Sequence, residues 1–166
     1  MKKEIQILWF KKDLRVIDHM PLLKACKNKI PVLPIYLIEP SFWREPFSSK
    51  RHWSFIRDCL IDLQIDLINM RSNLHVEIDE AFSFFDEINK KFKICSILSH
   101  EETGNNWVLS RNTQVQNWCK TKNINFIEYP NNGVVRNLDN RDKWSQIKKN
   151  RLNLPILDKP NEINTL

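Results

Sequence analysis

The chain has 166 residues, 42% of them hydrophobic and 28% charged, which fits one globular domain that needs neither a disulfide nor a metal to fold. It contains no apolar run of the roughly 18 residues that span a bilayer and no secretory signal, so we expect a cytoplasmic protein without a membrane partner. The net charge of +6 permits a nucleic-acid partner, but the abundance of Lys, Asn and Ile, typical of AT-rich codons, explains much of that charge more simply.

Apolar periodicity predicts alternating strands and helices along most of the chain. We expect five strands, at 5–10, 31–38, 66–70, 94–99 and 124–129, of which the one at 66–70 is weak. Five helices are expected between and after them: one capped by Asp18 that runs to about Lys27, one at about 50–64 capped by Ser48 or Ser49, and others at 77–92, at about 107–121 and, as a short helix, near 141–150.

Two of the helices carry apolar stripes at helical spacing. The stripes are Trp53, Ile56, Cys59/Leu60 and Leu63 in one, and Ile78, Phe82, Phe85, Ile88 and Phe92 in the other. Strand and helix alternate five times with short connections, which is typical of an α/β domain with a parallel sheet and helices on both faces. We assign residues 1–152 to this domain and residues 153–166, which have two prolines and no periodicity, to a linker or tail.

Several nucleotide and metal motifs are excluded. The two glycines, Gly104 and Gly133, are too far apart for a GxGxxG loop or a P-loop. The four cysteines form no CxxC unit and predict buried free thiols. The four histidines show no metal-ligand spacing, so we predict no metal site and no catalytic residue.

Charged, polar and aromatic residues that can bind a ligand follow three of the strands. Parallel sheets bind ligands at this carboxyl end of their strands. Segment 9–15 combines two aromatic residues with three cations, which suits a flat ring and an anion. The carboxylates of Glu101 and Glu102 can accept hydrogen bonds from the N–H groups of a heterocycle. Alternatively, they interact favourably with the positive N-terminal end of the following helix. Segment 129–136 contains a turn and leads into a basic stretch. For segment 9–15 and for the basic stretch after residue 136, a solvated charged surface is the alternative interpretation.

Four segments, taken together and in order, resemble the DNA photolyase and cryptochrome family. They are Trp9-Phe10-Lys11-Lys12-Asp13-Leu14-Arg15; Val32 to Pro40; His100-Glu101-Glu102-Thr103-Gly104 with Arg111 and Trp118; and Tyr129 to Arg136 with Arg141-Asp142-Lys143-Trp144. The likeness is collinear over about residues 5–152 and corresponds to the N-terminal α/β domain of that family.

The resemblance implies a five-stranded parallel Rossmann-like sheet in the order 3-2-1-4-5, with an antenna chromophore at the reversal between strands 1 and 4. It places FAD and most lesion-binding groups in a C-terminal helical domain, which we expect to be this chain's partner, in the same or a separate chain. Since no residues remain for that domain after about 152, we expect this chain alone to bind no FAD and repair no pyrimidine dimers. It is expected to bind duplex DNA weakly and without lesion preference.

The resemblance also implies a set of site residues for the chromophore, which would be a folate, a deazaflavin or a flavin. They are Phe10, Lys11, Lys12, Arg15, Glu39, Arg51, Glu101 and Glu102. The sequence departs from the family where lysines replace the usual arginines at 11 and 12, where Asn112 replaces a common Asp, and where Asp18-His19-Met20-Pro21 replaces Asp-Asn-Pro. The alternative function is a stand-alone binding protein for a nucleotide-like ligand, without photochemistry.

Overall fold

The computed structural model describes residues 2–136 and 138–166. Its elements are β1 (Glu4–Phe10), α1 (Met20–Cys26), β2 (Val32–Leu37), α2 (Pro40–Trp43), α3 (Lys50–Asn69), β3 (His75–Glu77), α4 (Ala81–Lys91), β4 (Lys93–His100), α5 (Asn106–Lys122), β5 (Asn125–Tyr129), a 3₁₀ turn (Arg141–Lys143) and α6 (Trp144–Leu152). Within these described ranges, no helix has both the length and the apolar character that a membrane span requires.

The five strands form one parallel sheet in the order β3-β2-β1-β4-β5, which confirms the predicted fold class. β1 lies at the centre and is buried on both faces, which explains its nearly continuous apolar sequence. Ile7 and Trp9 point into the core under α4 and α5, and Leu8 and Phe10 into the core under α1 and α3. The buried amide of Gln6 donates to the carbonyl oxygens of Ala25 and Ile30, so this polar residue is satisfied.

The predicted third strand is wrong. Residues 66–69 complete α3, Met70 is its C-cap, and the third strand is the three-residue β3 at His75–Glu77. The apolar run that suggested a strand is the end of a helical stripe, because Leu60, Leu63 and Leu67 are buried at spacings of three and four residues. Burial of this stripe extends the helix past the predicted end.

The structure places the N-terminal cap of α1 and the first residue of α4 at other positions than the sequence predicts. His19 caps α1 in place of the predicted Asp18, because its Nδ1 accepts the Leu22 backbone N–H, whereas Asp18 has a left-handed φ of 52°. Ser49 caps α3, as one of the two predicted residues. α4 begins at Ala81 and buries Phe84 and Phe85. The buried face of α4 therefore differs from the predicted one, since Ile78 precedes the helix and the Phe82 ring is half-exposed.

The segment after α6 returns to the sheet. The Ile163 side chain is buried in the core under α1 and α3, and its backbone N–H donates to the Met70 carbonyl oxygen at 3.0 Å. Thr165 pairs with Val32 in a parallel bridge, and the Val32 N–H donates to the Asn164 carbonyl oxygen. The assignment of 153–166 to a linker remains a prediction, although its last residues pack against the start of β2.

We predict that this anchor contributes to stability. Ile163→Ala should lower the free energy of unfolding by about 2 kcal/mol, the lower limit for such a truncation, because a terminal segment can shift to fill the cavity. Chemical denaturation followed by circular dichroism measures the change. Ile156→Ala, at an exposed position of the same segment, is the matched control and should change stability by less than about 0.5 kcal/mol. Equal effects of the two variants would contradict the anchor.

Candidate ligand site at the C-terminal edge of the sheet

Loops that follow three neighbouring strands meet around one arginine. Glu39 follows β2, Glu102 follows β4, and both carboxylates pair with the guanidinium of Arg111 from α5. The Lys11 ammonium, after β1, lies 3.4 Å from carboxylate oxygens of Glu102 and Glu128. The strand ends therefore bring together a network of ion pairs that are almost entirely buried.

Burial dominates the electrostatics of this network. It raises the pKa of Glu39 to about 7, although the Arg111 guanidinium and the Ala81 backbone N–H act in the opposite direction. The guanidinium carbon of Arg111 lies 4.6 Å from the centre of the Trp9 ring and 5.2 Å from that of Trp107. Arg111 is thus held by two carboxylates and two indole rings.

This arrangement nearly fills the crevice beside β1 and β4. The remaining cavity has a volume of about 50 Å³. The residues that line it are Lys11, Lys12, Tyr36, Glu39, Phe42, His52, Ile56, Glu102, Trp107, Val108 and Arg111. Since ligand pockets have volumes of roughly 300–1,000 Å³, a ring system enters this crevice only if its side chains move.

A larger cavity lies on the other side of Glu102, between the ends of β4 and β5 and α5. Its volume is about 580 Å³, within the range of ligand pockets. Its polar lining includes Glu101, Glu102, Glu128, Asn112 and Arg136. The Oε2 atom of Glu101 and the Nδ2 atom of Asn112 are buried and have no hydrogen-bond partner among the described residues. An acceptor and a donor at one cavity are the groups that bind a heterocycle.

A third group, Asp13, His19 and His100, lies beneath the loop after β1. Asp13 Oδ2 is 2.9 Å from His19 Nε2 and 2.6 Å from His100 Nδ1, and Asp13 Oδ1 accepts the Lys11 backbone N–H. Although burial acts to raise the pKa of Asp13, the hydrogen bonds from His100 and His19 hold it well below its usual range. Burial lowers the pKa of His19. The three side chains fix the loop that carries Lys11.

These three side chains are close enough to ligate a metal ion, but the hydrogen bonds of His19 are incompatible with metal coordination. His19 Nδ1 accepts the Leu22 backbone N–H, so the ring proton resides on Nε2, the atom that faces Asp13. A metal-bound histidine instead carries its proton on the other nitrogen and donates it. Metal binding here would therefore break the hydrogen bond by which His19 caps α1.

The structure brings part of the predicted site together. Lys11, Lys12, Glu39 and Glu102 line the crevice, and Glu102 also lines the larger cavity together with Glu101. The other three predicted residues lie apart: the Phe10 ring is fully buried in the core, Arg15 donates to Asn131 and to the carbonyl oxygens of Ile17 and Asp18, and Arg51 is exposed on α3.

Sequence reasoning did not assign a site role to Arg111, Asn112, Glu128 or Trp107. One signal was available for Arg111, since it lies three residues after Val108 and four before Val115, on the buried face of α5. A buried arginine requires carboxylate partners.

The sheet order defines a doubly wound α/β domain, a fold in which ligands bind outside the carboxyl ends of the strands. The family model described as DNA photolyase matches residues 6–147. The chain therefore belongs to the DNA photolyase family and corresponds to its N-terminal domain.

Individual relatives agree with this assignment. Cryptochrome DASH, chloroplastic/mitochondrial, from Arabidopsis thaliana is 30% identical over 107 residues, which are 61% of this chain and 19% of the relative. A class III photolyase from Agrobacterium tumefaciens has a TM-score of 0.83 at 16% identity, over 100% of this chain and 36% of that one. An archaeal photolyase from Sulfolobus tokodaii, described with two FAD molecules, has a TM-score of 0.72 at 20% identity, over 98% and 37%.

The chain thus spans about a fifth of the length of the Arabidopsis relative and little more than a third of the two structural neighbours. The two structural likenesses show the fold. None of these comparisons supports the alternative of a stand-alone ligand-binding protein.

Proposed function

We propose that this domain holds an antenna chromophore and that the chromophore binds in the 580 Å³ cavity between the ends of β4 and β5. The observation that carries the proposal is a pair of buried atoms at a cavity of ligand size, Glu101 Oε2 and Asn112 Nδ2, neither of which has a hydrogen-bond partner among the described residues. The only cation near Glu101 Oε2 in the described part of the chain is Arg151 Nη1, at 3.7 Å. A bound chromophore would supply absorption of near-ultraviolet or blue light and transfer of the excitation to a flavin.

The residues around this cavity suit a neutral heterocycle that donates N–H groups. Glu101 offers a carboxylate acceptor and Asn112 an amide donor, so a ring with adjacent N–H and C=O groups is complementary to both. Arg136 lies 2.7 Å from Glu128 and 3.5 Å from Glu101 and is already paired, so the lining of three carboxylates and one arginine favours the N–H groups of a neutral ring. Folates, deazaflavins and flavins all have such groups, and the choice among them is left to experiment.

The flavin that would receive the energy belongs, in this proposal, to a C-terminal FAD-binding helical domain in the same or a separate chain. The neighbour from Sulfolobus tokodaii is described as having two FAD molecules, with the implication of a novel light-harvesting cofactor, which supports a paired arrangement in the family. Light-driven DNA repair or blue-light sensing would require both domains. A cytoplasmic location remains a prediction, since the Arabidopsis relative is named as chloroplastic/mitochondrial.

We predict that Glu101→Gln weakens chromophore binding by roughly 10- to 150-fold, because it removes a charge-assisted hydrogen bond. The probes are a folate, a deazaflavin and flavin mononucleotide, each titrated while absorbance and fluorescence are recorded. The melting temperature of the ligand-free protein separates this role from a structural one and should stay nearly unchanged.

Glu162→Gln provides the control for this experiment, since that exposed carboxylate pairs only loosely with Arg71, at 3.4 Å. It should leave affinity unchanged. If none of the three probes binds the unmodified chain, or if both variants weaken binding equally, the proposal fails.

A further inference from the structure

The loop after β5 contains an asparagine that is followed by a glycine. Asn132 is the only asparagine in the sequence that precedes glycine, and it is exposed. Because Gly133 has no Cβ, its backbone nitrogen is less hindered than that of any other residue type. Such a nitrogen can attack the side-chain amide carbon of the preceding asparagine and close a succinimide ring.

The conformation of the loop favours this attack. Asn132 Oδ1 accepts the Val134 backbone N–H at 2.9 Å, so the side-chain amide is folded back over the backbone of Gly133. The same N–H faces the oxygen on which negative charge develops during the attack, and a donor already in place stabilises such an oxyanion. The Gly133 N–H has no acceptor among the described residues, so no hydrogen bond has to break before it reacts.

Arg151, on α6, adds a positive charge at the reacting peptide. Its Nη1 atom donates to the carbonyl oxygens of Asn132, at 3.3 Å, and of Val134, at 2.7 Å. The attack requires the Gly133 N–H to lose its proton, and peptide resonance places part of the resulting negative charge on the Asn132 carbonyl oxygen. A cation bound to that oxygen stabilises the anion and so favours the reacting form of the nitrogen.

We propose that Asn132 is a site of spontaneous deamidation. The Gly133 nitrogen forms a bond to Asn132 Cγ, the bond between Cγ and Nδ2 breaks, and Nδ2 leaves as ammonia. Water then opens the succinimide at either of its two carbonyl carbons, which gives aspartate or isoaspartate at position 132. This inference is independent of whether the neighbouring cavity binds a chromophore.

The modification would change one wall of the 580 Å³ cavity, which Thr103 and Val134 both line. Asn132 Nδ2 donates to Thr103 Oγ1 at 3.3 Å and so links the loops that follow β4 and β5. A carboxylate cannot donate, so deamidation removes this link and adds a negative charge. Isoaspartate also lengthens the backbone by one methylene group, which displaces Val134.

The experiment incubates the 166-residue chain in mildly alkaline buffer and follows it by tryptic digestion and mass spectrometry. Trypsin releases residues 123–136, and we expect this peptide to acquire, at Asn132, the mass difference between an amide and a carboxyl group. Two products of equal mass should separate, and a methyltransferase specific for isoaspartate should label one of them. Asn123, Asn125 and Asn131 lie in the same peptide as internal controls and should stay intact.

Two outcomes of this incubation would overturn the proposal. One is an unmodified Asn132, and the other is conversion of the control asparagines at the same rate. Mildly acidic buffer should slow the conversion strongly, since the Gly133 nitrogen must lose its proton. An equal rate in acid would indicate direct hydrolysis and would refute the cyclisation.

A glycine variant tests the attacking nitrogen. A Cβ at position 133 would lie 2.8 Å from Lys148 Cγ, so Gly133→Ala is made together with Lys148→Ala, which removes that contact. The double variant should nearly abolish conversion of Asn132, whereas Lys148→Ala alone should retain it. Conversion of the double variant at the rate of the unmodified chain would refute attack by the Gly133 nitrogen.

An arginine variant tests the electrostatic role. Arg151→Gln should slow the conversion, and Arg151→Lys, which keeps the charge, should restore most of the rate. Melting temperatures establish that both variants are folded under the conditions of incubation. Faster conversion in Arg151→Gln would show that the arginine restrains the loop and would overturn its assigned role.

Discussion

Replacing Arg111 by methionine is expected to lower the free energy of unfolding by about 3–5 kcal/mol near pH 8. The variant keeps most of the side-chain volume but leaves Glu39 and Glu102 buried without their shared cation. It also removes the guanidinium from between the rings of Trp9 and Trp107. Urea denaturation followed by tryptophan fluorescence measures the loss.

The pH dependence identifies the cause of this loss. Burial already raises the pKa of Glu39 to about 7, and removal of the Arg111 charge should raise it further. A carboxyl group whose pKa is higher in the folded state than its unfolded value of about 4.3 binds protons preferentially when folded. Stability is then retained at low pH and lost as the pH rises through the folded-state pKa. We therefore expect a much smaller penalty near pH 5 than near pH 8.

An exposed arginine serves as the control for Arg111. Arg57→Met breaks a surface ion pair with Asp58 and should change stability by less than about 1 kcal/mol at either pH. An Arg111→Met penalty of the same size near pH 5 and near pH 8 would show that lost packing, rather than uncompensated charge, is responsible.

Asp13→Asn is the second variant with a large expected effect, again about 3–5 kcal/mol. Asp13 accepts from two imidazoles and from the Lys11 backbone N–H. An amide in its place has one acceptor oxygen, and its NH₂ group faces at least one of these donors. Asp58→Asn changes an exposed carboxylate and should alter stability by less than about 0.5 kcal/mol. A small loss for Asp13→Asn would mean that the histidines reorient to satisfy the amide.

We also expect the titration of His19 and Asp13 to destabilise the protein in acid. Burial lowers the pKa of His19 in the folded state, so the unfolded chain takes up that proton first, below its pKa of about 6.5. The pKa of Asp13 is also lowered, so a further loss follows below about pH 3.9. The raised pKa of Glu39 acts in the opposite direction over the same range, so the contribution of His19 is read from the difference between variants. Relative to the unmodified chain, the free energy of unfolding of His19→Gln should rise as the pH drops from about 6.5 towards 5, whereas that of His75→Gln, at an exposed histidine, should not change. A constant difference between His19→Gln and the unmodified chain over this range would contradict the assignment to His19.

The sheet was predictable because each central strand is buried on both faces and therefore consists of consecutive apolar residues. The residues of β1, β2, β4 and β5 were all predicted to within two residues at each end. The third strand was not, since β3 has only three residues, all exposed, and so no buried pattern. The order of the strands came from the resemblance, because local periodicity carries no information on which strands are neighbours.

The sequence by itself determined the composition of the site: carboxylates and cations follow the strands that parallel packing aligns at one edge. Only the tertiary structure decided which of them neutralise one another. Arg111 occupies the crevice that Glu39 and Glu102 were expected to offer a ligand, and the buried atoms without a hydrogen-bond partner among the described residues include Glu101 Oε2 and Asn112 Nδ2 at the neighbouring cavity. Likewise His19 and His100, far apart in sequence, meet on Asp13. The physical reason is that ion pairs and cavities depend on distances of a few ångströms between residues remote in the chain, and residue spacing does not specify such distances.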